Sequence, residues 1–464
     1  MILAEPALRM AAASVLVMLY AALCSGIWLR ERQRLLRAQR EAAALADSGN
    51  GGIPVLVAYA SQTGLAEALA RSTAQALHSA GEAVHLCPLN AVDAALLARS
   101  QRALFLVSTY GEGNAPDNAG LFQTQHMGAA NRQTLTHLRY GLLALGDSQY
   151  AHYCGFGRAL DAWLQGQGAV PLFPRLEMDN AAPAALAAWQ QQIGHIAAVK
   201  PEHNAAAWLP QTPFTSWTLL ERRQLNPGSA GGAVFHLALQ APPESDAVWE
   251  SGDLVQVCIP QAPEHPRDYS IASIPADGSV HLLVRQSTRE DGTPGLASHW
   301  LTAQLAVGDQ VPLRLCPHPN FRLADNATNP LILIGNGTGL AGLRSHLRAR
   351  AAACMQRNWL LFGERNAAYD TLYGEELRAW LASGILQRLD LAFSRDQAER
   401  VYVQDLLVQR ADSVRQWVQE GAAIYVCGSL QGMAQGVHAA LQAALGAQTL
   451  AQLTQTGRYR RDVY

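Results

Sequence analysis

The sequence has no C-x-x-C pair. Its seven cysteines stand far apart, at 24, 87, 154, 258, 316, 354 and 427. That spacing excludes the common structural zinc and iron–sulfur patterns, and scattered thiols fit a reducing compartment. An excess of either charge is missing too. Thirty-five Lys+Arg against 37 Asp+Glu leave a net charge of −2, so nothing global attracts nucleic acid. Charged residues make up only 16% and hydrophobic residues 49%, enough apolar material for large cores. The 464 residues suggest about three domains.

A third absence is local. No charged residue occurs from Met10 to Leu29, and Arg30, Arg32, Arg34, Arg37 and Arg40 follow, against only Glu31. An apolar run of that length makes roughly 30 Å of helix, the thickness of a bilayer core. Positive flanks stay cytoplasmic. Residues 1–40 are therefore expected to form a single-pass anchor in the inner membrane, with the remainder in the cytoplasm. A cleaved signal peptide would carry its positive charge before the apolar run, and Ala21-Ala22-Leu23 before Cys24 is a poor lipoprotein context. Residues 41–52 read as a linker.

The fourth absence is a lysine in the loop Ser61-Gln62-Thr63-Gly64-Leu65. The loop joins an apolar strand (53–59) to an alanine-rich helix (65–80). Strand, loop and helix start together aim N–H groups at an anion, and without Gly-Lys-Ser/Thr a monophosphate suits better than a triphosphate. Strands 104–107 and 142–145 end in Ser108-Thr109-Tyr110-Gly111-Glu112-Gly113 and in Leu145-Gly146-Asp147-Ser148-Gln149-Tyr150. In open parallel sheets ligands sit beyond the carboxyl ends of strands, where all three loops lie. Tyr110 and Tyr150 can sandwich a planar ring.

Residues 212–325 are rich in β-formers, with strands at 234–239, 254–259 and 280–284, and predict an antiparallel β-barrel. In Arg267-Asp268-Tyr269-Ser270, Arg267 can hold a pyrophosphate, Tyr269 can cover a planar ring and Ser270 can hydrogen-bond near that ring's reactive nitrogen. Gly295-Leu296-Ala297-Ser298 offers backbone donors to the same pyrophosphate. In residues 328–464, the strand 330–334 leads into Gly335-Asn336-Gly337-Thr338-Gly339 and a helix, a dinucleotide-type turn. After strand 389–393, Ser394, Arg395 and Arg400 can hold a 2′-phosphate and Tyr402, followed by Gln404, can stack on adenine, so NADPH is preferred to NADH.

Y-A-S-Q-T-G-L-A-E (59–67), S-T-Y-G-E-G-N-A-P-D-N-A (108–119) and A-L-G-D-S-Q-Y (144–150) resemble the flavodoxin-type FMN domain of diflavin reductases. H-P-N-F-R-L (318–323), S-R-D-Q-A-E-R-V-Y-V-Q-D (394–405) and R-Y-R-R-D-V-Y (458–464) are similar to the NADPH sulfite reductase flavoprotein subunit. NADPH–haemoprotein reductases share that architecture. The resemblance covers about residues 53–464. It implies an α/β multidomain chain: a flavodoxin-like FMN domain (53–200), an FAD-binding barrel (212–325) and a Rossmann-like NADP domain (328–464). It places FMN phosphate at 61–65, the FMN ring between Tyr110 and Tyr150, and an acidic residue, Asp179, near that ring. It implies that Ser270, Cys427 and Asp462 surround the point of transfer from NADPH, and that Tyr464 covers the FAD ring and must move. No metal is implied.

The chain departs from the family in three places. Ile259-Pro260 reaches Arg267 within a few residues, leaving no room for the family's helical connecting subdomain. Ser429 and Gly436 stand where acidic residues are usual. The leading expectation is a membrane-anchored diflavin reductase passing electrons from NADPH through FAD and FMN to a one-electron acceptor, a haemoprotein or ferric complex. The alternatives are the flavoprotein component of assimilatory sulfite reductase and a flavin-binding membrane sensor without turnover.

Overall fold

A computed structural model describes residues 53–464 other than 63, 111–112, 129–133, 149–151, 180–181, 198–207, 209–211, 246 and 290. The anchor expected over residues 10–29 lies outside the described residues. Among the described residues no helix is long and apolar enough to cross a membrane.

The first sheet is parallel. It holds β1 (Val55–Ala60), β2 (Val84–Pro88), β3 (Arg102–Ser108), β4 (Arg139–Gly146), β5 (Val170–Pro171) and β6 (Leu176–Asp179), in the order β2-β1-β3-β4-β5, with β6 also on β4. Helices cover both faces, so β1, β3 and β4 are near-continuous runs of buried apolar residues rather than alternating ones. Helix Leu65–Ser79 packs Leu69, Thr73 and Leu77 on one face, with Trp189 donating to Thr73 Oγ1 at 3.0 Å. Helix Gly155–Gly166 covers the other face, where Gly157 lets it approach Ala144; a Cβ at Gly157 would overlap that residue. The order reverses between β1 and β3, the crevice where doubly wound sheets take ligands.

The second sheet is antiparallel: β7 (Thr215–Gln224), β8 (Val234–Gln240), β9 (Leu254–Ile259), β10 (Ala262–Ser270), β11 (Val280–Arg285) and β12 (Gln310–Cys316) run in the order β10-β9-β12-β7-β8-β11. Ala272 N–H donates to His281 O at 2.8 Å, so the ends beyond β10 and β11 meet and the sheet curls towards a barrel. Strands β9 and β10 form a hairpin in which Ala262 pairs with Ile259. The chain turns back at once where the family's insertion would leave.

The third sheet is parallel, in the order β15-β14-β13-β16-β17, from β13 (Leu331–Asn336), β14 (Asn358–Glu364), β15 (Leu386–Phe393), β16 (Ala423–Gly428) and β17 (Tyr459–Val463). Every residue of β14 and of β16 is buried. The chain's last residues are therefore not frayed. β17 completes the sheet edge, with Cys427 opposite Asp462, and Tyr464 N–H donates to Gly428 O at 3.0 Å.

Candidate functional site

The loop after β1 is shaped by one side chain and one glycine. Ser61 Oγ accepts from Gly64 N–H at 2.9 Å and Ala66 N–H at 3.2 Å. Gly64 has φ 97°, the left-handed region that only glycine enters at little cost, and it opens the helix at Leu65. The first turn of that helix thus faces the crevice with its N–H groups, a cradle for a phosphate. Thr63, Gly111 and Tyr150 lie outside the described residues. Gly113, with φ 91°, lies so close to His152 that a Cβ would meet His152 Cβ at 2.9 Å. Asp179 ends β6 and accepts from Ser148 N–H at 3.1 Å, which ties it to the loop after β4.

One cavity of about 600 Å³ joins the first sheet to the other two. Leu65, Ser108, Thr109, Tyr110, Leu145, Gly146 and Asp147 line one side. Arg267, Tyr269 and Ser270 line another, and Thr338, Asp462 and Tyr464 close it. Residues expected for the two flavins thus line one cavity.

At its deep end three side chains converge. Ser270 Oγ donates to Asp462 Oδ2 at 2.7 Å, and Cys427 Sγ donates to the same oxygen at 3.6 Å. All three residues are buried. Burial, then the Asp462 carboxylate, pushes the Cys427 thiol well above its ordinary value, so it stays a neutral thiol. Tyr464, 47% exposed, donates from its hydroxyl to Thr338 Oγ1 at 3.0 Å and forms part of the cavity wall. The glycines beside it let this loop pack closely on the end of β16. A Cβ at Gly335 would lie 2.6 Å from Cys427 O, and one at Gly339 would overlap the same carbonyl. Backbone alone can line this face.

The first sheet is fastened to β17. Arg461 Nε donates to Asp117 Oδ1 at 2.9 Å in an ion pair. Burial works against the Arg461 charge, but Asp117 more than offsets it and raises the guanidinium above its ordinary value. Gln62 Nε2 donates to Arg461 O at 2.9 Å, and Val463 N–H donates to Tyr110 Oη. Asn320 Nδ2 donates to Ser61 O at 3.1 Å and Gln62 O at 2.9 Å. The phosphate-type loop therefore touches the segment that follows β12 and the edge strand β17 of the third sheet.

The NADP-type residues lie at the ends of β14 and β15. Ser394 N–H donates to Glu364 O at 2.9 Å and Arg395 N–H to Arg365 O at 2.8 Å. Tyr402 is 41% exposed, with its backbone N–H held by Asp405 at 2.8 Å, as a stacking platform requires. Arg400 lies in the loop between, and Gln404 packs against Gly436, where a Cβ would meet Gln404 Cδ at 3.0 Å. Gly436 therefore makes space for Gln404 where the family usually has an acidic side chain. At Ser429, the backbone N–H is held by Asn336 Oδ1 at 2.9 Å.

Gly295-Leu296-Ala297-Ser298 does not line the cavity with Arg267. Ser298 Oγ is turned instead to Ser287 N at 3.1 Å and to Gly295 O at 3.2 Å. Sequence reasoning gave no role to Gln62 as a tether, or to Asp117, Asn320, Arg285 and Glu364. Asp117 and Asn320 lie inside motifs read from the sequence, but a pattern of residue types does not reveal a contact spanning 344 positions.

The residues present fit three nucleotide groups: a monophosphate cradle with Tyr110 beside it, a second ring site under Tyr269 and Tyr464, and a glycine-lined dinucleotide face. Comparison with known proteins agrees. Residues 57–189 match the flavodoxin family model, and residues 333–439 match that of the oxidoreductase NAD-binding domain. The sulfite reductase [NADPH] flavoprotein alpha-component of Aliivibrio fischeri is 28% identical, covering 91% of this chain and 91% of its own. That of Vibrio parahaemolyticus is 28% identical over 91% of this chain and 88% of its own, and that of Shewanella sp. (strain MR-7) 27% over 88% and 89%. The first alignment runs over 553 positions, more than the chain's 464 residues, so the relative carries residues that this chain does not. The two domain matches and these relatives support a diflavin reductase, an NADPH-dependent flavoprotein oxidoreductase that uses FMN, FAD and NADPH.

Proposed function

We propose that this protein is the NADPH-oxidising flavoprotein partner of a haemoprotein of the sulfite reductase type. The likeness to sulfite reductase flavoprotein components along nearly the whole chain carries this reading. It favours the sulfite reductase alternative over the general haemoprotein or ferric reductase that the sequence put first. When bound, FAD and FMN supply the chemistry that converts the electron pair of NADPH into single-electron deliveries.

The chain's own residues position that exchange. Tyr464 swings from its bond to Thr338 and opens the face above Gly339. Ser270 and Asp462 stabilise the charge that develops beside them, and Cys427 packs there as an uncharged thiol. Tyr110 and the loop at Ser61 hold the second ring at the other end of the same cavity. Ser394, Arg395 and Arg400 select the 2′-phosphate. The convergence of Ser270, Cys427 and Asp462 also favours turnover over a sensor that binds flavin without reacting.

Adding the purified protein to the haemoprotein subunit of a sulfite reductase tests the proposal. Sulfite-dependent NADPH oxidation is expected. NADPH oxidation with ferricyanide but none with sulfite and that subunit would remove this acceptor. The uncharged run 10–29, followed by arginines, favours an inner-membrane tether as an addition to this function. Carbonate-resistant pelleting of the full chain, lost on removal of residues 1–40, is the expected result. Full release into the supernatant would contradict the tether.

A further inference from the structure

Asp268 is the one residue of Arg267-Asp268-Tyr269-Ser270 to which the reaction gives no task. It lies on β10 directly opposite Gln256 of β9, which lies opposite Arg314 of β12. The three side chains form a polar row across neighbouring strands. Arg314 Nε donates to Gln256 Oε1 at 2.9 Å, and a second Arg314 nitrogen donates to the same oxygen. Arg314 is itself stacked on Phe214, 4.5 Å from the ring centre. With its oxygen taken, the Gln256 amide turns its NH2 towards Asp268, and Gln256 Nε2 donates to Asp268 Oδ1 at 2.9 Å. The row thus aims a neutral donor, rather than a guanidinium, at the carboxylate.

Asp268 lines the flavin cavity. Strand alternation places it on the same face as Ser270, roughly 7 Å away along β10. Ser270 is the residue bonded to Asp462. The titratable groups around Asp268 are Arg267 on its own strand, Arg314 and the Cys316 thiol on β12, His318 beyond that strand and Asp462 on β17. Asp147, His152 and Arg285 line other walls of the cavity, and Arg285 is paired with Glu364. Burial pushes the Asp268 carboxyl above its ordinary value; the bond from Gln256 and the charges of His318 and Arg314 oppose this, and Asp462 adds to it. A carboxylate so placed responds to any further negative charge brought into the cavity, because each makes the other harder to hold.

We propose that Asp268 couples charge in the flavin cavity: its carboxylate opposes the arrival of electrons there and takes up a proton from water as they arrive. The electrons come from NADPH, and the proton returns to water when they pass to the acceptor. The inference rests on the NADPH-to-flavin reading and adds to it a residue that sets how readily the flavins are reduced.

Redox titration of the purified full-length protein with mediator dyes, read by flavin absorbance, tests it. At pH 8 and a fixed applied potential, Asp268→Asn is expected to raise the ratio of reduced to oxidised flavin about tenfold. The ionised carboxylate opposes reduction, and Asn resembles its protonated form. The difference between variant and wild type should therefore shrink as pH falls and the wild-type carboxyl is protonated. Infrared difference spectra should gain a protonated-carboxyl band when the wild type is reduced, absent in Asp268→Asn and restored in Asp268→Glu. An unchanged ratio in Asp268→Asn, a difference that ignores pH, or no carboxyl band gained by the wild type overturns the proposal. If Asp268→Asn loses its flavins or fails to fold, Gln256→Leu decides. Without its donor the carboxyl should keep its proton to higher pH and carry the pH dependence of the ratio with it; a profile identical to wild type overturns the proposal. Wild-type protein that binds no flavin, or whose flavins are reduced by the mediators but not by NADPH, would instead count against the NADPH-to-flavin reading itself.

Discussion

Arg461 donates from Nε to Asp117 Oδ1 at 2.9 Å, across 344 residues of sequence. The bond joins the loop region beside one expected flavin site to β17, the strand that carries Asp462 and precedes Tyr464 beside the other. Arg461 O also receives Gln62 of the phosphate-type loop. This contact, with Asn320 on the same loop, holds the first sheet in place in a chain that lacks the connecting subdomain.

Asp117→Asn and Arg461→Gln should therefore loosen docking. The pair is partly buried, with side chains 19% and 23% exposed, so each change should cost about 2 kcal/mol of docking free energy. Stopped-flow absorbance should show electrons reaching FMN more slowly while the first reduction by NADPH keeps its rate. A double variant no worse than either single one is expected, because both remove the same bond. Unchanged transfer between the flavins in both variants would contradict this role.

Asp462 accepts from Ser270 and Cys427 at one oxygen. Asp462→Asn keeps the shape and removes the charge. The rate of flavin bleaching after mixing with NADPH should fall on the order of a hundredfold, with NADP+ affinity nearly unchanged. Ser270→Ala should fall by less, since the carboxylate remains. Equal rates in Asp462→Asn and wild type would remove Asp462 from the reaction.

Much of this was legible in the sequence, and the limits have physical causes. The strands at 254–259 and 280–284 emerge almost at their exact bounds, because buried apolar runs between turn signals leave little choice. The phosphate-type loop is legible for the same reason: Gly64 needs its left-handed backbone where the strand meets the helix. The strand character of Ala262–Ser270 was not, since Pro263, Glu264, His265 and Pro266 read as a loop and pairing begins again only at Arg267. The tail was also misleading by itself. A chain end is usually loose, but Tyr459–Val463 gains a full parallel pairing with β16 that no local pattern encodes. The Arg285–Glu364 pair and the Asn320 tether are long-range contacts of ordinary polar residues, and Gly295–Ser298 satisfies its own hydroxyl locally rather than joining Arg267.

Stability should fall in mild acid. Burial, with nearby Arg344 and the neighbouring imidazole, lowers His236 to about 3 and His281 to about 4, and burial lowers His346 to about 3. Their unfolded values are near 6.5, so below that pH the unfolded chain binds more protons than the folded one. Stability is then fully present above pH 6.5 and declines as pH falls towards 4, before most carboxylates titrate. His236 donates to or accepts from Tyr373 Oη at 2.8 Å, so the loss should separate the second and third sheets first. Denaturant melts between pH 7.5 and 4.5 check this. His281→Gln should flatten the slope, and a pH-independent midpoint across that range would contradict it.

Gly339→Ala should be damaging out of proportion to its size. Its Cβ would overlap Cys427 O, so the loop or β16 must shift, at a cost of about 1–3 kcal/mol. NADP+ titration should show weaker binding, whereas Gly278→Ala, with open space around its Cβ but φ 77°, should lose stability without losing affinity. Equal effects of the two on affinity would argue against a packed dinucleotide face at Gly339.

The central claim is that one cavity brings both flavin sites to the residues around Asp462. The most direct measurement is the flavin content of the purified full-length protein, followed at once by anaerobic mixing with NADPH. The expected result is FAD and FMN in equal amounts, both bleached by NADPH and much more slowly by NADH. FAD without FMN, or both flavins present and neither bleached, would contradict it.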